Sequence, residues 1–450
     1  MDKTQLYGRQ LCLTPAQAGD CPVGVQQLPA LKISGDWINC QRCGARLPRR
    51  DAQLPNDQYY CYACLTLGRV STLVSLYHIP EPNEFTQLLH CCWTGQLTPL
   101  QSACAQRIQQ AFENRQRHLL WAVTGAGKTE MLFPGLAWAL AQGLRVAIAS
   151  PRVDVCLELA PRLKAAFRGA PIAVLHGRDP EPYQYCQLTI CTTHQLLRFR
   201  QAFDVLIIDE VDAFPFAANP RLYYAVEHAK KANGALLYLT ATPSRELLRG
   251  VRRHQLTISY LPLRFHQHLL PTMTVSLMPA WAHLLKKGRL PSRLRRRLAE
   301  YERTGQRFLI FVPRVAQLAP VHDLLARAFP QMKGLNVHAA DPQRLDKVQQ
   351  MRDQRVQYLV TTTILERGVT LPGIDVIVLG ADDATFSTAA LVQIAGRVGR
   401  SRERPDGLVW LIAANYARTI KRAKRQIEQL NRKGRRIQRE VPTVSAPHPH

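Results

Sequence analysis

The sequence predicts an α/β protein with two tandem parallel-sheet lobes behind an N-terminal four-cysteine zinc-binding module. Three observations predict it. Short apolar runs alternate with helical stretches across residues 96–250 and again across 308–413, the order that builds parallel sheets with ligands at the carboxyl ends of their strands. The first alternation opens on an A-x-x-x-x-G-K-T loop, Ala122–Thr129, and carries Asp209-Glu210 about eighty residues later. Ahead of both lobes, C-x2-C occurs twice with a seventeen-residue spacer, and two such knuckles converge on one tetrahedral ion.

Length and charge bound the rest. At 450 residues the chain exceeds a single typical domain, and 46% hydrophobic residues supply ample core. Lys plus Arg number 59 against 33 Asp plus Glu, a net charge of +26 that points to a polyanionic partner: nucleic acid first, an anionic membrane surface second. No run of 18 uncharged apolar residues occurs and the N-terminus lacks a charged-then-apolar signal design, so the expected location is the cytoplasm. Of twelve cysteines, only Cys40, Cys43, Cys61 and Cys64 have metal-like spacing; the others read as small buried hydrophobes, and adjacent Cys91 and Cys92 suit neither a disulfide nor a common zinc site.

Residues 1–95 form the expected N-terminal module, with its zinc site within 36–68. Four cysteines leave zinc no open coordination position, so the site reads as structural. Gly44 suits the tight turn after Cys43. Arg42, Arg46, Arg49, Arg50 and Arg69 surround the knuckles, either as a nucleic-acid contact or as a solvated surface. Residues 1–36 carry no functional reading.

The first lobe is expected over 96–250. Thr98 and Pro99 read as the N-cap and first residue of a helix. In the phosphate loop, Gly125 and Gly127 let successive backbone N–H groups turn toward a phosphate. Lys128 adds charge for the outer phosphates, and the Thr129 hydroxyl can ligate Mg²⁺. The expected nucleotide-binding set is therefore Thr124, Gly125, Ala126, Gly127, Lys128 and Thr129. The strand Phe203–Ile208 delivers Asp209 and Glu210 to the same sheet edge, one carboxylate to hold Mg²⁺ and its neighbour to orient the attacking water. Leu236–Pro243 reads as a further strand that places the small hydroxyl residues Thr240 and Thr242 where they could bridge the carboxylates to a second domain.

Residues 251–307 read as a linker and a basic segment leading into the second lobe, with Lys286, Lys287, Arg289, Arg293, Arg295, Arg296 and Arg297 either on phosphate or on a solvated helix face. The second lobe is expected over 308–440. No phosphate loop recurs there. Instead Gln393–Arg400 places Arg397 and Arg400 three apart on one helix face, suited to neutralising charge on a transferred phosphoryl group as arginine fingers. The basic amphipathic stretch 414–440 reads as lying on DNA, on acidic lipid or in water, and 441–450 as disordered.

Taken together, Ala122–Thr129, Asp209–Asp212, Thr240–Pro243, Thr361–Thr370 and Gln393–Arg400 resemble, in order, the motor blocks of helicase superfamily two. The resemblance implies RecA-like lobes and an ATPase that uses Mg²⁺. It adds Gln101, near the adenine edge in such motors but equally an ordinary helix residue, and Gln393 to the nucleotide-binding set. The chain departs from DEAD-box RNA helicases in D-E-V-D, in T-A-T-P and in Gln393 where those enzymes carry His. Q-x-x-G-R-x-G-R and T-A-T-P are similar to the DNA-directed PriA and RecG helicases. The upstream cysteine knuckles, D-E-V-D-A-F-P-F and T-T-I-L-E-R-G-V-T resemble the ComFA family of late competence proteins. That resemblance implies a zinc-containing, DNA-stimulated ATPase that moves transforming single-stranded DNA, with ComFC, DprA and the ComEC channel as partners and the inner face of the membrane as its place of work. A PriA- or RecG-like repair helicase and a nucleotide-switched DNA-binding scaffold are the alternatives. Assembly into a homo-oligomer is left open.

Overall fold

A strand with apolar residues on both faces is stable only in the middle of a sheet covered by helices, and three segments of the first half meet that description. Val146–Ser150, Leu188–Thr192 and Phe203–Ile208 are buried at every position. They lie inside a seven-stranded sheet whose order is Ile172–Leu175, Leu188–Thr192, Val146–Ser150, Phe203–Ile208, Lys230–Thr240, Arg117–Ala122, Thr257–Leu261. The pairings among the first six strands are parallel. The second sheet has six strands, all parallel, in the order Met273–Leu277, Val409–Ala413, Asp375–Leu379, Phe308–Phe311, Tyr358–Thr361, Gly334–Val337.

The computed structural model describes residues 1–177, 183–367, 369, 371–401 and 403–440. Gly368 and Thr370 of the Thr361–Thr370 block, and the 441–450 tail, lie outside the described residues. The chain divides into two units, Met1–Trp121 with Lys128–Tyr260, and Ala122–Gly127 with the chain from Leu261 onward.

Residues 251–307 are more ordered than a linker. They hold Thr257–Leu261 and Met273–Leu277, strands at the ends of the first and second sheets, and the helices Trp281–Lys286 and Ser292–Thr304. Outer strands are half exposed, so their apolar pattern is thin: only Ser259 and Leu261 are buried in the first of them and only Met273 in the second. The Ser292–Thr304 helix buries Leu294, Leu298 and Tyr301 and turns Arg293, Arg295 and Arg296 outward.

The N-terminal module is built onto the first lobe. Its cysteines, Ile38 and Leu47 share one buried cluster with Phe199, Phe203, Leu222 and Val226. A second fastening is polar. Arg145, fully buried at the foot of the Val146–Ser150 strand, pairs with buried Glu81 and donates to the Tyr7 carbonyl at 2.9 Å and the Tyr183 hydroxyl at 2.6 Å. Burying a guanidinium demands a counter-charge and acceptors, and both terminal nitrogens of Arg145 have them.

In the second unit the 23-residue helix Arg418–Glu440 buries Ile420, Ala423, Ile427 and Leu430 along one stripe. Asn431 fixes it by accepting from the Leu270 N–H and donating to the Leu270 carbonyl, both at 2.9 Å. The apolar stripe of this basic helix is thus already covered by its own unit. No helix among the described residues is long and apolar enough to cross a membrane.

Candidate functional site

The strand Arg117–Ala122 ends at the phosphate loop, where Gly125 and Gly127 adopt φ of 77° and 75°, and the helix Lys128–Ala141 begins at once. This left-handed backbone is the one glycine adopts without penalty. Thr124, Ala126 and Thr129 are buried around it. Lys128 Nζ stands 3.7 Å from Asp209 Oδ1, at the end of the Phe203–Ile208 strand. Asp209 Oδ1 also accepts the Glu210 N–H at 2.8 Å. Glu210 is left-handed, φ 54°, a conformation that costs a non-glycine residue on the order of 1 kcal/mol or more and persists only where neighbours hold it.

The hydroxyls of Thr240 and Thr242 do reach a carboxylate, but it is that of Asp212: Thr240 Oγ1 donates at 2.7 Å and Thr242 Oγ1 donates to the other oxygen. Thr242 N–H returns to Thr240 Oγ1 at 2.9 Å. Trp121 Nε1 donates to the Ala241 carbonyl at 3.1 Å, tying the phosphate-loop strand to the same block. Gln101 closes a capping box: Oε1 accepts the Thr98 N–H at 2.9 Å while Thr98 Oγ1 accepts the Gln101 N–H at 3.4 Å.

In the second unit, Gln393 is buried in the helix Thr388–Ala395, which Ser387 caps; the helix ends there, so Arg397 and Arg400 lie in the turn beyond it and not on one helix face as expected. Arg397 is 2% exposed and donates from Nε to the Glu366 carbonyl at 3.1 Å; Arg400 donates from Nε to the Gly396 carbonyl at 3.0 Å. The same unit contains the Ala122–Gly127 loop, and a Cβ on Gly396 would overlap the Thr124 side chain. Arg264 joins this group although no motif contains it. It is buried, 3.9 Å from where a Cβ on Gly125 would lie, and it donates from Nη1 to the Gly399 carbonyl. Burial lowers its pKa to about 9. Its one signal in the sequence is a lone charge in the apolar run L-P-L-R-F.

The four knuckle cysteines are all buried, with their sulfurs within 4.8 Å of one another. Cys40 and Cys64 sulfurs are 3.8 Å apart, Cys43 and Cys61 3.7 Å. A tetrahedron of sulfurs about 2.3 Å from a central zinc has edges of about 3.8 Å, so the spacing fits a closed four-thiolate site. Hydrogen bonds from Cys40, Cys43 and Cys61 push the Cys64 thiol down, while bonding to Cys43 pushes Cys40 up. Arg42 is not a surface cation: it is buried and donates to the Cys64 carbonyl at 3.1 Å and the Gly68 carbonyl at 2.6 Å. Arg46 lies over the Trp37 ring and Arg49 donates to the Tyr59 hydroxyl at 2.7 Å.

Comparison with known proteins gives the family and the fold. Residues 94–245 match the type III restriction enzyme, res subunit, and residues 290–402 the helicase conserved C-terminal domain. Competence protein ComFA of Bacillus subtilis strain 168 is 42% identical over 411 residues, which span 89% of this chain and 87% of that protein. The chain belongs to the ComFA family. ComFA of Streptococcus pneumoniae R6 is 40% identical over 407 residues, covering 90% of this chain and 93% of that one. Among solved structures, the DEAD-box helicase Mss116 bound to ssRNA and UDP-BeF aligns with a TM-score of 0.55 at 17% identity, over 70% of this chain and 69% of that chain. Helicase Lhr of Mycobacterium smegmatis bound to ssDNA and AMP-PNP aligns with a TM-score of 0.53 at 19% identity, over 76% and 50%. Both show the fold: paired RecA-like lobes. This ComFA-family chain is a helicase-type, ATP-hydrolysing enzyme of superfamily two.

Proposed function

We propose that the chain is an ATP-dependent single-stranded DNA translocase that drives uptake of transforming DNA in natural competence. The observation that carries this reading is family membership along nearly the whole chain, with relatives named as competence proteins. Neighbouring folds bound to ssDNA and ssRNA support a nucleic-acid track, as does the +26 charge. The Arg418–Glu440 helix meets anions through its charged side, since its apolar stripe is occupied; that favours DNA over insertion into lipid.

In this reading Thr124–Thr129 wrap the phosphates of ATP, with Lys128 on the outer ones and Gln101 and Gln393 toward the nucleotide. The Thr129 hydroxyl and the Asp209 carboxylate are hard oxygen donors that suit Mg²⁺, which supplies charge neutralisation at the phosphates. Glu210 orients the attacking water. Arg397 and Arg400 stabilise charge that grows on the transferred phosphoryl group. Cys40, Cys43, Cys61 and Cys64 hold zinc, which is structural. ComFC, DprA and the ComEC channel, at the inner face of the membrane, are the partners this reading implies.

ATP turnover measured with single-stranded DNA, duplex DNA and RNA tests the proposal. Single-stranded DNA should stimulate most, and affinity should fall steeply between low and moderate salt because phosphate contacts release counterions. Unstimulated turnover, or stronger stimulation by RNA, would overturn it.

A further inference from the structure

One short helix, Pro220–Ala229, touches both cysteine knuckles. Arg221 donates from Nη1 to the carbonyl of Ala63, which lies between Cys61 and Cys64. One turn on, the Tyr224 hydroxyl donates at 3.0 Å to the carbonyl of Gln41, which lies between Cys40 and Cys43. The Tyr224 ring also fills the place beside Gly44, φ 69°, where a Cβ would come within 2.6 Å of it. Residues three apart on a helix share a face, so a single face grips one carbonyl of each knuckle.

The N-terminal end of that helix, the end that carries Arg221, leads back through one turn to Glu210. Ala213 N–H donates to the Glu210 carbonyl at 2.8 Å, Ala217 N–H to the Ala213 carbonyl at 3.1 Å, and Asn219 N–H to the Phe216 carbonyl at 3.1 Å. Asn219 Oδ1 then caps the helix by accepting the Arg221 N–H at 3.1 Å. Phe216 is fully buried in the middle of the turn. A left-handed Glu210 needs surroundings that over-determine it, and this turn is bonded directly to its carbonyl.

We propose that the Pro220–Ala229 helix carries the state of the cysteine site to the hydrolytic carboxylate, with Arg221 and Tyr224 as the positioning residues. The inference rests on the assignment of Glu210 to the attacking water. Two knuckles closed on one metal ion present their two carbonyls at fixed positions. When the metal leaves, the thiols lose their common centre, the carbonyls move and the helix loses its two anchors. The module would then act as a brace on the catalytic turn as well as a fold of its own.

The test uses Tyr224→Phe, which keeps the ring and removes the Gln41 hydrogen bond, and Arg221→Met with Arg221→Lys as the conservative rescue. Each is measured on the full chain for metal content, nucleotide affinity, kcat and amide exchange over residues 210–224. The expected result is unchanged metal content and nucleotide affinity, faster exchange across the turn, and a roughly tenfold lower kcat, with Arg221→Lys regaining part of the loss. Chelation of the wild type should speed the same amides. Wild-type kcat and exchange in Tyr224→Phe would overturn the brace, as would losses that follow metal content alone. Glu210→Gln separates the two readings. If it still hydrolyses ATP at the wild-type rate, the assignment of Glu210 has failed; if it is inactive while Tyr224→Phe is normal, only the brace has failed.

Discussion

The motif residues of the two halves are held in different ways. In the first lobe, opposite charges and hydroxyls satisfy one another directly: Lys128 lies by Asp209, and Asp212 is gripped by Thr240 and Thr242. In the second unit the two arginines of Gln393–Arg400 are each anchored through the inner nitrogen, Nε, to a backbone carbonyl. In the proposed mechanism Lys128 divides its charge between Asp209 and the outer phosphates. Each arginine has its Nε bonded to a carbonyl of its own unit, a contact that limits how its planar fork can turn. If the roles proposed above hold, an arginine anchored through Nε needs less reorganisation at the moment of reaction than a lysine paired with a carboxylate.

The largest expected effect breaks that comparison at its rigid end. Arg397→Ala should lower ATP turnover by on the order of 10³-fold with nucleotide binding retained, and Arg397→Lys should fail to rescue it, because an ammonium has neither the Nε anchor nor the fork. Steady-state kinetics with labelled-nucleotide titration decide it. A Lys variant at the wild-type rate would show that bare charge suffices and that orientation contributes nothing.

Next in size is the buried pair that fastens the N-terminal segment to the first lobe. Glu81→Ala leaves the Arg145 guanidinium buried without its counter-charge, and should cost about 3–5 kcal/mol in denaturant unfolding. A loss below about 1 kcal/mol would mean that the hydroxyl of Tyr183 and the carbonyl of Tyr7 hold the arginine unaided.

That pair also marks the limit of what the sequence makes legible. The motif blocks are legible because phosphate and metal chemistry demand particular residues at particular spacings, and the central strands because burial on both faces writes a continuous apolar run. The four cysteines are legible for the same reason. Arg145, Glu81 and Arg264 are not: each is one charged residue whose partners lie far along the chain. Outer strands such as Met273–Leu277 are hidden by their half-exposed pattern. Spacing brings Thr240 and Thr242 to the carboxylates, but the choice of Asp212 depends on how the turn after Ile208 coils. Arg42 passes for a surface cation in the sequence because position within a knuckle does not reveal which way a long side chain runs.

A smaller effect concerns acid. His118, between Thr257 Oγ1 at 2.7 Å and Ser259 Oγ at 2.9 Å, is held by burial at a pKa of about 4, and burial likewise lowers His228 to about 4. Both lie in the first unit. The unfolded chain takes up these protons near pH 6.5, the folded one near 4, so between those values the unfolded state binds more protons. Stability is fully present above about pH 6.5 and falls as pH drops toward about 4, by at most about 3 kcal/mol for each histidine. Unfolding midpoints across that window should decline, and His118→Gln should flatten the slope. An unchanged slope in the variant would place the acid sensitivity elsewhere.

The smallest effect probes the first lobe's own hydrogen bonds. Thr242→Val keeps the shape of the side chain and removes one of the two hydroxyls on Asp212, leaving Thr240 Oγ1 still donating at 2.7 Å. A hydrogen bond to a charged group contributes about 1.5–3 kcal/mol, and the remaining hydroxyl offsets part of its loss. If the T-A-T-P block works as a link between Asp212 and the rest of the motor, stimulation of turnover by DNA should fall roughly tenfold while turnover without DNA changes little. If it works only as a structural tie, both rates should fall together with stability. The ratio of stimulated to basal turnover separates the two, and a constant ratio would reduce the hydroxyl pair to a packing feature of the first sheet.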